Sequence, residues 1–445
     1  MNFDESVKYL YSLGNEVLAM KLGLENIGKL LEALHNPQKN YLKVQIAGTN
    51  GKGSTVAFLD SICRRAGIKT GATTSPHLVS VTERVRIGGC EISETDFARC
   101  ATRVRDTAEK LVAAGALETA PTYFEQVTAI ALLAFAEAKI ELAILETGLG
   151  GRFDATTAAR AEIVAITPID FDHQRILGDT LAEIAAEKAA IVREDTKVIL
   201  APQQPEAERV ILEKCREMGV EPIRATQEIK VEKRHRSPEF PFLTADFATE
   251  HANYSGVAFG ANGMQGRYQI VNAATAISIA ETLRGCGLRI SKEDIRSGLE
   301  LARHKGRLEF YQGVLFDGAH NAGGARALRQ YLDEFIEQPV VMVFGAMRDK
   351  DLSEIAEILF PKAAFLILTK PDNPRSTEPE EILEFLPHDF DRRNAAIAGT
   401  VEEALKTASE LAAGRLICVT GSLYLIGEAQ NILRRDADDT VTEEK

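Results

Sequence analysis

The chain has 445 residues, 45% of them hydrophobic, with 65 acidic against 52 basic residues and a formal charge of −13. That length exceeds one typical core and points to two or three domains. The acidic balance argues against nonspecific nucleic-acid or anionic-membrane binding, which rewards basic patches, but leaves room for a small anionic substrate met by local lysines and arginines. Six cysteines are scattered without a CxxC pair and are expected to be reduced core residues. The acidic N-terminal stretch lacks the basic start of a signal peptide, and no apolar run is long enough to span a bilayer, so a soluble cytoplasmic protein is expected.

Short β-branched runs alternate with segments of helical period, the pattern of parallel sheets covered by helices. The first strand, 42–47, leads into AGTNGKGST at 47–55. Glycine there lets backbone N–H groups approach phosphate oxygens at a helix N-terminus. Asn50, Gly51, Lys52, Gly53, Ser54 and Thr55 are the candidate nucleotide contacts, Lys52 toward the β- and γ-phosphates and Ser54 or Thr55 toward magnesium. The spacing departs from GxxxxGK[ST]: Ile46 stands at the first glycine, and Gly53 separates lysine from hydroxyl.

Strands follow at 142–146, 163–167 and 197–200. In open α/β sheets ligands lie beyond the carboxyl ends of strands. That rule selects Glu146 with TGLGGRFDAT behind it, and PIDFDH ending in Asp172 and His173. Glu146 and Ser54 suit a hard cation, and His173 is a less usual ligand for it. A helix from Thr180 opens with a capping box to Glu183 and carries an apolar stripe at Leu181, Ile184, Ala185, Ala189 and Val192, on which Lys188 falls. A lysine there must snorkel, find a carboxylate or lose its charge.

Residues 228–255 read as irregular or β-hairpin surface. Helices at 270–283 and 291–301 close the first half, and 302–306 is the expected linker. A second set of strands, at 313–316, 340–344, 365–369 and 416–420, predicts a second α/β sheet. Arg307 follows the linker, and FDGAHN places Asp317 and His320 on an exposed turn, suited to a nucleotide bound between domains. Ser422 and Tyr424 lie on the corresponding last loop with no role to assign, and the final eleven residues read as a solvated acidic tail. The fold class is α/β: an N-terminal P-loop-type ATPase domain over 1–301 with a mainly parallel sheet, then a smaller Rossmann-like α/β domain over 307–436 and a tail over 437–445.

These motifs together resemble the folylpolyglutamate synthase and dihydrofolate synthase family of the Mur ligase superfamily. The resemblance runs through KLGLENI at 21–27, GTNGKGS at 48–54, TSPHL at 74–78, VTERVRI at 81–87, TYFEQVT at 122–128 and ETGLGGRFDAT at 146–156. It continues through DH at 172–173, AAEKAAI at 185–191, Gln269 and Asn272, Arg307, DGAHN at 317–321, DKD at 349–351 and TGSLYLIGE at 420–428. It implies ATP-dependent joining of L-glutamate to dihydropteroate or folate through an acyl phosphate, by a monomer, with Lys52, Glu146, His173 and Lys188 in the catalytic centre. By resemblance, Ser54, Ser75, Glu146 and His173 lie around two Mg²⁺ ions, Lys188 is carried as a carbamate, and Asn272, Arg307, Asp317 and His320 lie around ATP. Thr122, Phe124, Asp154 and Ala155 match a dihydropteroate pocket. Thr157 and Ala322 depart from the family's common asparagine and proline. The rival is a Mur-type UDP-muramoyl amino-acid ligase, disfavoured by SPHL, TYFEQ and GSLYLIGE; a regulatory GTPase would need NKxD, which is absent.

Overall fold

The computed structural model describes all residues except 15–22, 226–227, 236–240, 261–262 and 444–445. Lys21 and Leu22 of the first motif therefore lie outside the described residues. Aliphatic runs buried on both faces become parallel strands. The first sheet has eight: β1 (Leu42–Ala47), β2 (Thr70–Thr73), β3 (Val85–Ile87), β4 (Cys90–Glu91), β5 (Leu142–Glu146), β6 (Ile163–Ile166), β7 (Lys197–Leu200) and β8 (Pro222–Arg224), in the order β4-β3-β2-β5-β1-β6-β7-β8. Strands β2 to β8 of that order pair in parallel, and the β3–β4 hairpin adds an antiparallel edge.

Residues 228–255 are more than surface. They make up most of a three-stranded antiparallel sheet, β9 (Glu228–His235), β10 (Pro241–Ala248) and β11 (Asn253–Phe259). Leu243, Ala245 and Phe247 alternate along β10 at the strand period and are buried, with Tyr254, Val257 and Phe259 of β11 beside them. They share one core with Phe58, Leu59 and Ile62 of the helix Lys52–Arg65 and with the helices Tyr268–Arg284 and Lys292–Leu301. Phe58 meets Phe259 edge to face, ring centres 6.1 Å apart.

The second large sheet contains β12 (Glu309–Tyr311), β13 (Val314–Asp317), β14 (Val340–Phe344), β15 (Ala363–Leu368), β16 (Ala395–Ile397) and β17 (Ile417–Thr420), in the order β12-β13-β17-β14-β15-β16. All pairs are parallel except β12 with β13. Residues 437–443 of the expected acidic tail continue the last helix, Leu423–Glu443, and 444–445 lie outside the described residues. All six cysteines are free; four are buried as expected, while Cys90 and Cys286 are exposed. Among the described residues no helix is long and apolar enough to cross a membrane.

Candidate active site

Strand β1 pairs with β5 on one side and β6 on the other, with Ile46 opposite Glu146 and Ala47 opposite Ile166. Their three carboxyl-end loops therefore meet at one edge of the sheet. The glycine loop fits there because of how close its neighbours come. Gly48 has φ +148°, and a methyl group on it would stand 1.9 Å from Thr167 Oγ1; Gly51 has φ +89°, and a methyl would stand 2.1 Å from Asn272 Oδ1. Gly48→Ala is expected to lower stability by about 1–3 kcal/mol from backbone strain before any effect on nucleotide is counted, as thermal unfolding would measure. An unchanged midpoint would show that the loop relaxes freely.

Lys52 opens the helix behind the loop, and its ammonium donates to the Gly48 and Thr49 carbonyls, 3.1 Å each. Burial pushes its pKa down, opposed by the charges of Glu146 and Asp172. Lys188 does not snorkel. The capping box Thr180–Glu183 forms as expected, the apolar stripe turns inward, and Lys188 is 5% exposed with Nζ donating to the Gly48 carbonyl at 2.9 Å. Burial, helped by the nearby Lys52 charge, lowers its pKa to about 7.

Glu146 is buried, which pushes its carboxyl up against the opposing pull of Lys52, and its Oε2 accepts from the Ser75 N–H at 3.1 Å. The Ser54 hydroxyl is buried and accepts from Gln269 Nε2 at 3.2 Å, while Gln269 Oε1 accepts from Asn272. Among the described residues no group of three His, Cys, Asp or Glu side chains could hold a metal unaided. This donor set nevertheless fits magnesium, which is bound through one or two carboxylates plus substrate phosphates rather than by an all-protein cage.

A cavity of about 190 Å³ opens beside this edge. Thr122, Phe124, Asp154 and Ala155 all line it, as do His173 and Ser75. Thr122 also caps the helix Tyr123–Glu137. Asp154 is occupied in holding its own loop: it accepts from the N–H groups of Gly148 and Leu149, and from the N–H and hydroxyl of Thr156. The Thr157 hydroxyl accepts from Gln45 and donates to the Gly151 carbonyl, so it ties the loop to β1. Facing these residues are loops from the carboxyl edge of the second sheet, which contribute His320, Lys350, Arg375 and Tyr424.

Asp317 is buried rather than exposed. Strand β13 runs one residue further than expected, so Asp317 still pairs with Thr420, and its carboxylate accepts from the N–H groups of Leu308 and Ala319. Burial pushes its pKa up to about 6, against the pull of Arg307. Arg307 donates to the Gly318 carbonyl at 3.0 Å, and Asn272 lies against Gly51.

Asn321 and Lys350, to which the motifs alone assign no role, meet Asp172 where the two sheets face each other. Asp172 accepts from Lys350 at 2.6 Å and from Asn321 at 3.3 Å, and its Oδ2 is 3.7 Å from His320 Nε2. Burial alone would raise its pKa, but His320, Lys350 and His173 hold the carboxyl well below the usual range. Asn321 also donates to Asn50 of the glycine loop, and Arg326 bridges to Asp170. His173, at φ +51°, has its pKa lowered to about 4 by burial despite Asp172, which leaves a neutral imidazole with a lone pair near pH 7. The DKD motif was the available signal for Asp349 and Lys350; its place on a strand-end loop of the second sheet was not used.

A family profile described as the Mur ligase middle domain matches residues 46–280, and one described as the Mur ligase glutamate ligase domain matches residues 306–423. The chain is 33% identical over 432 residues to a Bacillus subtilis protein described as dihydrofolate synthase/folylpolyglutamate synthase, covering 95% of this chain and 97% of that one. Its structure is similar to that of Escherichia coli FolC in complex with DHPP and ADP, with a TM-score of 0.84, 28% identity and coverage of 98% and 99%. It is also similar to a Yersinia pestis bifunctional folylpolyglutamate synthase/dihydrofolate synthase complexed with AMPPNP and a Mn ion, with a TM-score of 0.82, 28% identity and 98% coverage of each.

Proposed function

The chain belongs to the folylpolyglutamate synthase/dihydrofolate synthase family of Mur ligases, and from that premise we propose how its residues divide the work of joining L-glutamate to a dihydropteroate or folate carboxylate at the expense of ATP. The observation that carries the reading is that loops from the carboxyl edges of both large sheets meet on one cavity lined by Ser75 and His173, with Glu146 bonded to the Ser75 N–H behind it. Residues 1–301 bind ATP and the pterin, 307–436 present glutamate, and 302–306 joins them.

The acceptor carboxylate attacks the γ-phosphorus, the bond to the bridging oxygen breaks, and ADP leaves an acyl phosphate. The α-amine of glutamate then attacks the acyl carbon, inorganic phosphate departs, and the amine gives up a proton. Both partners in the first step are anions, so positive charge must be in place before they meet. Lys52 supplies it by leaving its loop carbonyls for the β- and γ-phosphates. Ser54, Ser75, Glu146 and His173 would hold two magnesium ions, which would offset the negative charge of the phosphates as the acceptor carboxylate approaches. Asn272, Arg307, Asp317 and His320 surround the nucleotide, Asp317 by shaping its loop. Thr122, Phe124, Asp154 and Ala155 receive the pteroyl group. Lys188 as a carbamate would turn a buried amine into an anionic oxygen ligand, and an amine with a pKa of about 7 is suited to capture CO2.

Phosphate release is expected with dihydropteroate or tetrahydrofolate as acceptor, in each case requiring glutamate, and not with a UDP-muramoyl peptide. Glutamate-dependent turnover confined to the muramoyl compound would overturn the folate reading.

A further inference from the structure

His173 stands between two carboxylates from different halves of the chain. Its Nε2 is 3.8 Å from Asp172 Oδ2 on its own turn, and its Nδ1 is 3.8 Å from Oδ2 of Asp349, on the loop after β14. The two neighbours are not equivalent. The oxygens of Asp172 are already taken by Lys350, Asn321 and the His173 N–H. Asp349 Oδ1 accepts from Arg375 Nη2 at 2.8 Å, yet its Oδ2 is shielded from solvent and has no hydrogen-bond partner among the described residues. A buried acceptor without a donor is costly and rarely left so. The nearest candidate donors are Lys350 Nζ, 3.6 Å away and bound at 2.6 Å to Asp172, and the His173 ring nitrogen. An approach of the second sheet by roughly 1 Å would bring that nitrogen within hydrogen-bond range of Oδ2.

We propose that Asp349 is the positioning residue for His173: when the two halves close on their substrates, its free oxygen accepts a hydrogen bond from Nδ1–H and fixes the imidazole with its Nε2 lone pair available to the metal–phosphate site. A neutral imidazole carries one proton, and a ligating histidine gives its other N–H to a carboxylate that fixes tautomer and ring orientation. Here that carboxylate comes from the half that presents glutamate. The ligand set on the ATP side is therefore complete only when the glutamate side is seated, which ties phosphoryl transfer to domain closure through one hydrogen bond. The inference rests on the reading of His173 as a metal ligand.

The test uses the full chain labelled with ¹⁵N-histidine, with AMPPNP, Mg²⁺ and tetrahydrofolate, the His173 signals being assigned by their loss in His173→Gln. The expected spectrum shows a neutral ring protonated at Nδ1; protonation at Nε2 overturns the proposal whatever the variants do. In parallel, Mn²⁺ binding in the presence of AMPPNP, tetrahydrofolate and glutamate is followed by electron paramagnetic resonance. Asp349→Asn, whose amide would donate to Nδ1 and reverse the tautomer, is expected to weaken Mn²⁺ about 10–100-fold, with Asp349→Ala weaker than wild type as well. If His173→Gln leaves Mn²⁺ affinity unchanged, the metal-ligand reading itself fails. If His173→Gln weakens it while both Asp349 variants keep wild-type affinity, only the role of Asp349 is lost.

Discussion

Lys188→Ala is expected to lower turnover by about 10²–10³-fold, comparable to removing one preorganised charge-stabilising group, and short carboxylates such as acetate should restore part of it. The argument begins with burial. A lysine 5% exposed, bound among the described residues to the Gly48 carbonyl and pressed by the Lys52 charge, has its pKa drawn down from 10.5 to about 7. A large share of the amine is then neutral at physiological pH. Its lone pair can bond to the carbon of CO2 and release a proton, which removes the buried cation and leaves an oxygen anion beside the phosphate loop. The pH dependence follows from the sign of that shift. The ammonium form is lost as pH rises through about 7, so enzyme stripped of CO2 should regain activity about tenfold faster per pH unit below that value and level off above it. An unperturbed lysine would keep gaining toward 10.5. Full activity of Lys188→Ala without rescue would exclude the carbamate.

Lys52→Met is expected to reduce kcat/KM for ATP by about 10²–10³-fold, with the loss mainly in kcat. The Lys52 amine rests on its own loop's carbonyls, where burial lowers its pKa and the charges of Glu146 and Asp172 oppose that shift. A methionine fills the same space without the charge, so thermal unfolding should remain cooperative while the repulsion between acceptor carboxylate and γ-phosphate goes uncompensated. A variant that keeps wild-type kcat/KM would remove Lys52 from the reaction. A rise in KM alone would make it a binding residue only.

The parts legible in the sequence were those whose signal is local. Strands such as 42–47 and 340–344 are unbroken aliphatic runs, and the rule that ligands sit past strand ends picked out Glu146 and His173. The stripe around Lys188 put it on an apolar face but left open whether it snorkels, pairs or loses its charge. Strand β2 was missed because Thr70–Thr73 is short and carries no large apolar residue; it belongs in the sheet because Gly71 makes room for Phe135, whose ring carbon would lie 2.6 Å from a methyl there. The three-stranded sheet was legible only as a possible surface hairpin, because the charged run of β9, EIKVEKRH, reads as solvated. Asp349, Lys350 and Arg375 escaped because their importance comes from the opposing sheet: Lys350 and Asp172 are 178 positions apart, and their 2.6 Å contact leaves no trace in spacing.

The three-stranded sheet matters to the chemistry despite its distance from the cavity. Together with two helices it walls in the helix that carries the glycine loop, so closely that a methyl on Gly298 would stand 2.5 Å from Ile62 Cα. A loop rooted in such a helix cannot loosen unless the core of the larger half melts. The entropy of ordering the phosphate loop's backbone is therefore settled when the protein folds, not at each catalytic cycle, and binding energy that would otherwise order it remains free for later steps.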